Sequence, residues 1–123
     1  MFLHVIIDGR NVLGSRPDLD ERDLVEAAAR WAARHPRTPI VAVVFDGTWE
    51  EEGSGMFEHD ERTVAVATGG ESSNDVIVGE VEELRGEREP VIVVTGDAEL
   101  RERVEPLGAK VIDGGSFLRT VLS

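Results

Sequence analysis

The sequence predicts an α/β fold, a three-layer sandwich around an open, mostly parallel five-stranded sheet, and three observations carry that prediction. Short runs rich in branched aliphatics recur along the chain, helical apolar stripes fall between them, and the two kinds of segment alternate. The runs are apolar at successive positions rather than at every second one. That is the pattern of strands buried on both faces, as parallel strands sandwiched between helices are.

The first strand is read at Phe2 to Ile7, the second at Pro39 to Phe45, the third at Thr63 to Ala67, the fourth at Pro90 to Val94, and a weaker fifth at Ala109 to Ile112. Between the first two, Asp20 can cap a helix running to about His35, with Leu24, Ala28 and Trp31 on one face and Pro36 as its stop. Ser72 or Ser73 can cap a second helix, where Ile77, Val81 and Leu84 share a face and Gly86 lies just beyond the end. A third helix places Leu100, Val104 and Leu107 on one stripe and ends at Gly108. The last runs from Ser116 to about Leu122. Helices that cross between strands in this order make the strands parallel. The stretch from Gly47 to about Glu61 fits neither pattern. It holds Trp49-Glu50-Glu51-Glu52, Gly53-Ser54-Gly55 and Glu58-His59-Asp60-Glu61, and reads either as a mobile flap over a site or as a solvated insertion.

At 123 residues the chain reads as one domain, residues 1–123, with 41% hydrophobic and 31% charged residues, an ordinary globular composition. The absence of Cys excludes disulfides, thiolate zinc sites and cysteine nucleophiles, and three scattered His leave little for a histidine-rich metal site. The apolar start meets Asp8 too soon for a signal peptide, and no run approaches the roughly 18 apolar residues of a membrane span. A soluble cytoplasmic protein without a membrane partner is the expectation. The net charge of −12 opposes indiscriminate binding to polyanions, whose affinity rests on Lys and Arg.

In open α/β sheets ligands bind beyond the carboxyl ends of the strands. Three strands here end in acids: Ile6-Ile7-Asp8, Val44-Phe45-Asp46 and Val94-Thr95-Gly96-Asp97, while Asp75 falls in the first turn of the helix after the third strand. Taken singly, each Asp also reads as a turn former or helix cap. Taken together, four acids at one sheet edge repel one another unless a cation compensates. Hard oxygen ligands without Cys or His select Mg²⁺ or Mn²⁺, which typically adds waters and a substrate phosphate to a few carboxylates. That is the chemistry of metal-assisted phosphodiester hydrolysis. Asn11, Ser73 and Thr95 are neighbours able to orient an acid or a water, and equally able to cap. Arg10 and Arg16, in the loop after the first strand, are candidates for phosphate contact, whereas Glu99 reads as a first-turn helix acid. No Ser, His and Asp set suggests a nucleophilic triad, and no G-x-x-x-x-G-K or G-x-G-x-x-G run is present.

The run Ile7-Asp8-Gly9-Arg10-Asn11-Val12-Leu13 resembles the D-G-x-N opening of the NYN domains of the PIN-like nuclease superfamily, and especially their YacP-like bacterial branch. Val43-Val44-Phe45-Asp46-Gly47 resembles that family's V-F-D strand end, Ser73-Asn74-Asp75 its (S/T)-x-D helix start, and Thr95-Gly96-Asp97 its second (S/T)-x-D motif. Gly108-Ala109-Lys110-Val111-Ile112 then leads to Phe117-Leu118 as the family's last strand leads to its last helix. The resemblance covers essentially the whole chain, in order. It implies a PIN-like fold with strand order 3-2-1-4-5 and metal-dependent ribonuclease activity, with Asp8, Asp46, Asp75 and Asp97 around one or two Mg²⁺ or Mn²⁺ ions and Asn11 and Thr95 in support. The sequence departs from the family at Arg10, where an aromatic or Met is common, and at Ser73 and Asn74 beside Asp75.

The leading expectation is therefore a metal-dependent endoribonuclease acting on an RNA substrate. Asp8, Asp75 and Asp97 are its primary ligands and Asp46 a further ligand or water-orienting acid. The rival is a non-catalytic module on the same fold, binding RNA, a nucleotide or a protein. Phe45-Asp46-Gly47-Thr48 lacks the second Asp of a haloacid dehalogenase motif. Asp8-Gly9 lacks the acidic pair of a response-regulator receiver. Trp31, Trp49 and Phe57 are the candidates for a homodimer or protein-partner contact. The acidity itself is localised. Residues 46–61 hold seven acids and no Lys or Arg, leaving 18 acids against 13 bases elsewhere, and 15 against 13 once the three ligand acids are set aside.

Overall fold

The computed structural model describes residues 2–49 and 53–122; the acidic run Glu50-Glu51-Glu52 lies outside the described residues. The elements follow in the order β1 (His4–Asp8), α1 (Gly9–Leu13), α2 (Glu21–Arg34), β2 (Ile40–Phe45), β3 (Gly55–Glu58), β4 (Thr63–Ala67), α3 (Ser73–Gly86), β5 (Val91–Val94), α4 (Ala98–Val104), a 3₁₀ turn (Glu105–Leu107), β6 (Lys110–Ile112) and α5 (Gly114–Val121). They build one sheet in the order β3-β4-β2-β1-β5-β6, parallel except for the β3–β4 pair.

The continuous apolar runs behave as their pattern predicts, sending alternate residues into two cores. Val5 and Ile7 of β1 join Val41, Val43 and Phe45 of β2 on the side covered by α1, α2 and α5. Ile6 and Val44 point the other way, to Ile77, Val81 and Leu84 of α3 and Leu100 and Val104 of α4. The five expected strands keep the expected order. A sixth is added at the edge. β3 arises inside the 47–61 stretch, where flanking Gly and acids hide a four-residue strand; it pairs Met56 with Val66 and Phe57 with Ala65. The described part of that segment is packed against the core, because Trp49 is only 6% exposed, lies near-parallel to Phe45 and meets Phe57 at 5.6 Å.

Three further differences have local causes. Asp8-Gly9-Arg10-Asn11 is not a loop: α1 begins directly after β1. Gly9 permits this, since a Cβ there would lie 2.4 Å from the Phe45 ring and 2.9 Å from the Val44 carbonyl oxygen, so any side chain would push α1 off β2. The second helix does not stop before Gly86. Gly86 is its last residue, and the left-handed turn falls on Arg88 (φ 63°). The α2 cap is as expected, with Asp20 accepting from the Asp23 N–H and Asp23 answering at Asp20. The last helix starts two residues earlier than its expected Ser116, with Asp113 as its cap.

Candidate active site

Strand order reverses at β1, because the chain passes from β1 to β2 on one side and later returns to β5 on the other. The carboxyl ends of β1 and β5 therefore flank the crevice where α/β sheets bind ligands. Asp8 closes β1 there, with only 5% of its surface exposed. Thr95, fully buried just past β5, donates its hydroxyl to Asp8 Oδ2 at 2.9 Å and accepts the Asp97 N–H at 3.0 Å. One hydroxyl thus ties the two acids together. Asn11 locks the same corner from α1, its Oδ1 accepting the Gly96 N–H at 2.7 Å.

Asp97 caps α4, its Oδ1 accepting from the Leu100 N–H at 3.2 Å while Asn74 donates to Oδ2 at 3.4 Å. The Leu100 N–H, with help from Asn74, holds the Asp97 carboxyl below the usual carboxylate range. Asp8 is shifted the opposite way. Burial pushes its carboxyl up, Asp97 and Asp46 add repulsion, and the Thr95 hydrogen bond offsets part of the rise. Asp46, past the end of β2, is exposed, and its Oδ1 accepts the Ser73 N–H at 2.8 Å, a bond that satisfies the first turn of α3.

Asp8, Asp46 and Asp97 therefore share one electrostatic neighbourhood. Asp75 is turned elsewhere: its carboxylate accepts from Arg103 of α4 at 2.9 Å, while its own N–H reaches Ser72 Oγ at 3.5 Å. Among the described residues, no three His, Cys, Asp or Glu are gathered as a metal cluster. The donors that are present still suit Mg²⁺ or Mn²⁺ in kind, being hard oxygens without sulfur or imidazole, and Mg²⁺ completes its shell largely with water.

The basic candidates are both engaged. Arg10 donates Nε to the Asp46 carbonyl at 3.0 Å, pairs with Glu21 at 2.8 Å and lies over the Phe45 ring, which makes it a brace at the rim of the site. Arg16 forms two bonds to Asp18, at 2.8 and 2.7 Å, inside its own loop. Ser73 is buried and enters through its backbone N–H. Sequence reasoning assigned no role to Asn74 on Asp97 or to Arg103 on Asp75. The only sequence signal for Arg103 is its helical spacing from Glu99, 3.9 Å away. The three aromatics expected at an interface are occupied within the chain, Trp31 against Phe117 and His35, and Trp49 against Phe57.

Comparison with known proteins bears on this arrangement. A crystal structure of a single-substitution mutant of Rae1 (YacP) from Bacillus subtilis superposes with a TM-score of 0.73 at 21% identity, covering 99% of this chain and 76% of that one. Another crystal structure of Rae1 (YacP) from the same organism gives 0.71 at 21% identity, covering 96% and 72%. At that identity the likeness speaks for the fold alone. No curated protein matches the chain. The sequence profile of the YacP-like NYN domain matches residues 5–123, which include every strand-end acid described above, and the chain belongs to that family.

Proposed function

We propose that this protein is a metal-dependent endoribonuclease whose site is the acidic edge formed by Asp8, Asp46 and Asp97, with Asp75 joining when it leaves Arg103. One observation carries the reading: the Thr95 hydroxyl binds the buried Asp8 carboxylate and the backbone N–H of half-buried Asp97 at the strand-order reversal, leaving Asp8 charged only at the expense of burial and repulsion. A protein keeps such an arrangement where a cation relieves it. The nuclease-like character of the family supports the same reading.

A bound Mg²⁺ or Mn²⁺ would supply an activated water and charge neutralisation on an RNA phosphodiester. The chain's own residues do the rest. Asp8 and Asp97 would hold the ion, Thr95 fixes their spacing, Asn11 keeps the β5 end against α1, and Asn74 orients Asp97. Asp46 stands beside them to hold a ligand water while its Oδ1 anchors α3. We place the activity in the cytoplasm on a single domain; among the described residues no helix is long and apolar enough to cross a membrane.

The test pairs two measurements on pure protein. RNA cleavage should require Mg²⁺ or Mn²⁺ and disappear in Asp97→Asn, and retention of cleavage by the variant overturns the assignment. Millimolar Mn²⁺ should raise the melting temperature, because a ligand of the native state stabilises it. The second reading, a non-catalytic module, is favoured by one specific observation, the Arg103 pairing that draws Asp75 out of the acidic group. No metal-induced rise in melting temperature would select it.

A further inference from the structure

The sheet face opposite α2 is incompletely covered. α3 lies over β1, β2 and β5 with α4 packed beside it, and neither sits over β3 or β4 as α2 does over β4 on the other side. What remains is a groove of about 340 Å³ between α3 and the β3 edge, floored by Ala42, Val44, Val64 and Val66 and bounded by Met56 and Leu84. Met56 is 70% exposed, the largest exposure among the large hydrophobics of the described residues. From β2 to β3 is two strand steps, roughly 10 Å. Neighbouring helices pack about 8–10 Å apart. The uncovered strip is thus one helix wide, alongside α3.

The rim of this groove is acidic. Glu80 lines it from α3, Glu83 one turn on and Glu87 at the C-cap lie close enough to repel it, and Glu58 projects to the Met56 side of β3 by strand alternation. None of the four pairs with Lys or Arg among the described residues, and His4, at the groove, is the one base acting on Glu80. Partial burial, then Glu83 and Glu87, push the Glu80 carboxyl up, so the cluster is under repulsion that an incoming cation would relieve.

We propose that this groove is the docking site for an amphipathic helix of a partner protein, laying an apolar stripe on Met56, Val64 and Val66 and Lys or Arg side chains against Glu80, Glu83, Glu87 and Glu58. An apolar floor with charged flanks is the helix-in-groove mode of recognition. The charge selects the partner. A second copy of the chain would bring the same four acids against its own, with −12 on each molecule. RNA would meet carboxylates and no Lys or Arg. The surface is distinct from the Asp8 and Asp97 edge, so the proposal stands or falls independently of the nuclease reading.

The test uses the full chain and three labelled model peptides of about 18 residues: an amphipathic Leu/Lys helix, its scramble of equal composition, and a Leu/Glu helix with the same stripe. The Leu/Lys helix should bind at least about tenfold more tightly than either control, and methyl NMR should show perturbations at Met56, Val64, Val66 and Leu84. The double variant Glu80→Lys, Glu83→Lys, its fold checked by circular dichroism, should lose about tenfold in affinity, while Asp97→Asn should bind as the unaltered chain does. Equal binding of the scramble, or perturbations confined to the carboxylate edge, would overturn the proposal. So would self-association in sedimentation that Met56→Glu abolishes, or RNA protecting these methyl groups in place of the peptide.

Discussion

Asp8 concentrates the tension of this molecule in one side chain. Because burial and the neighbouring Asp97 and Asp46 raise its pKa, the folded state holds the Asp8 proton more tightly than the unfolded chain does. The charged form therefore subtracts stability at neutral pH. That loss is recovered as pH falls through the raised folded value, and the gain is complete below the ordinary unfolded carboxylate range. Asp8→Asn should accordingly melt higher than the parent at pH 7 in chelator, by roughly 0.5–2 kcal/mol of stability, and the gap should narrow towards pH 4. A variant that melts at or below the parent temperature at pH 7 would refute a buried charge under strain. Thr95 makes the opposite prediction. Its hydroxyl serves Asp8 and the Asp97 N–H at once, so Thr95→Val leaves two polar groups short of a partner and should lose about 1–3 kcal/mol in denaturant melts. Thr95→Ser, which keeps the hydroxyl, should recover most of it.

Among the elements, the starts of α2 and α3 were legible from their capping side chains, whereas α5, also side-chain capped by Asp113, was read two residues late because Gly114 and Gly115 disguise its first turn. Asp20, Ser72 and Asp97 cap α2, α3 and α4 through their own oxygens, and Ser72 and Asp20 stood out in the sequence for that reason. Asp97 fulfils its reading as a cap, one oxygen serving the Leu100 N–H while the other accepts from Asn74. The end of α3 was misplaced because Gly86 looked like the left-handed residue, whereas the chain turns at Arg88. Arg88→Gly relieves a left-handed conformation that is unfavourable for a side chain, by about 1 kcal/mol before the entropy of Gly is set against it. A modest rise in melting temperature is expected, and a fall would show that the Arg88 side chain contributes more than its backbone loses. The strand β3 was invisible for a different reason: only Met56 and Phe57 are apolar in it, and its stability comes from the β4 edge and the Trp49 contact rather than from its own pattern.

At the scale of the whole molecule two clusters stand out among the 25 acids. Those at the β1 and β5 ends form the proposed metal edge, those around the groove form the rim of the proposed docking surface, and the rest are dispersed along the chain. The resulting self-repulsion is long-range and screenable. Raising NaCl from about 0.1 to about 0.5 M should therefore raise the melting temperature of the metal-free protein. Mn²⁺ should do so at concentrations too low to screen, provided Asp97 is intact. An equal response of Asp97→Asn to Mn²⁺ would show that the ion acts elsewhere.

The sequence by itself determined the alternation of strands and helices and the placing of acids at the strands' carboxyl ends, because hydrophobic period and capping chemistry are local properties written in consecutive residues. The order of the five main strands in the sheet came only with the family resemblance. The tertiary structure alone decided which acids meet. Asp8 and Asp97 are brought together by a hydroxyl that reads in sequence as an ordinary strand-end Thr95, and Asp75 is held aside by Arg103, 28 residues away. The direction of a side chain depends on partners that folding supplies from elsewhere in the chain. The groove beside α3 belongs to the same category, because an uncovered sheet face depends on how many helices cross it and where they settle.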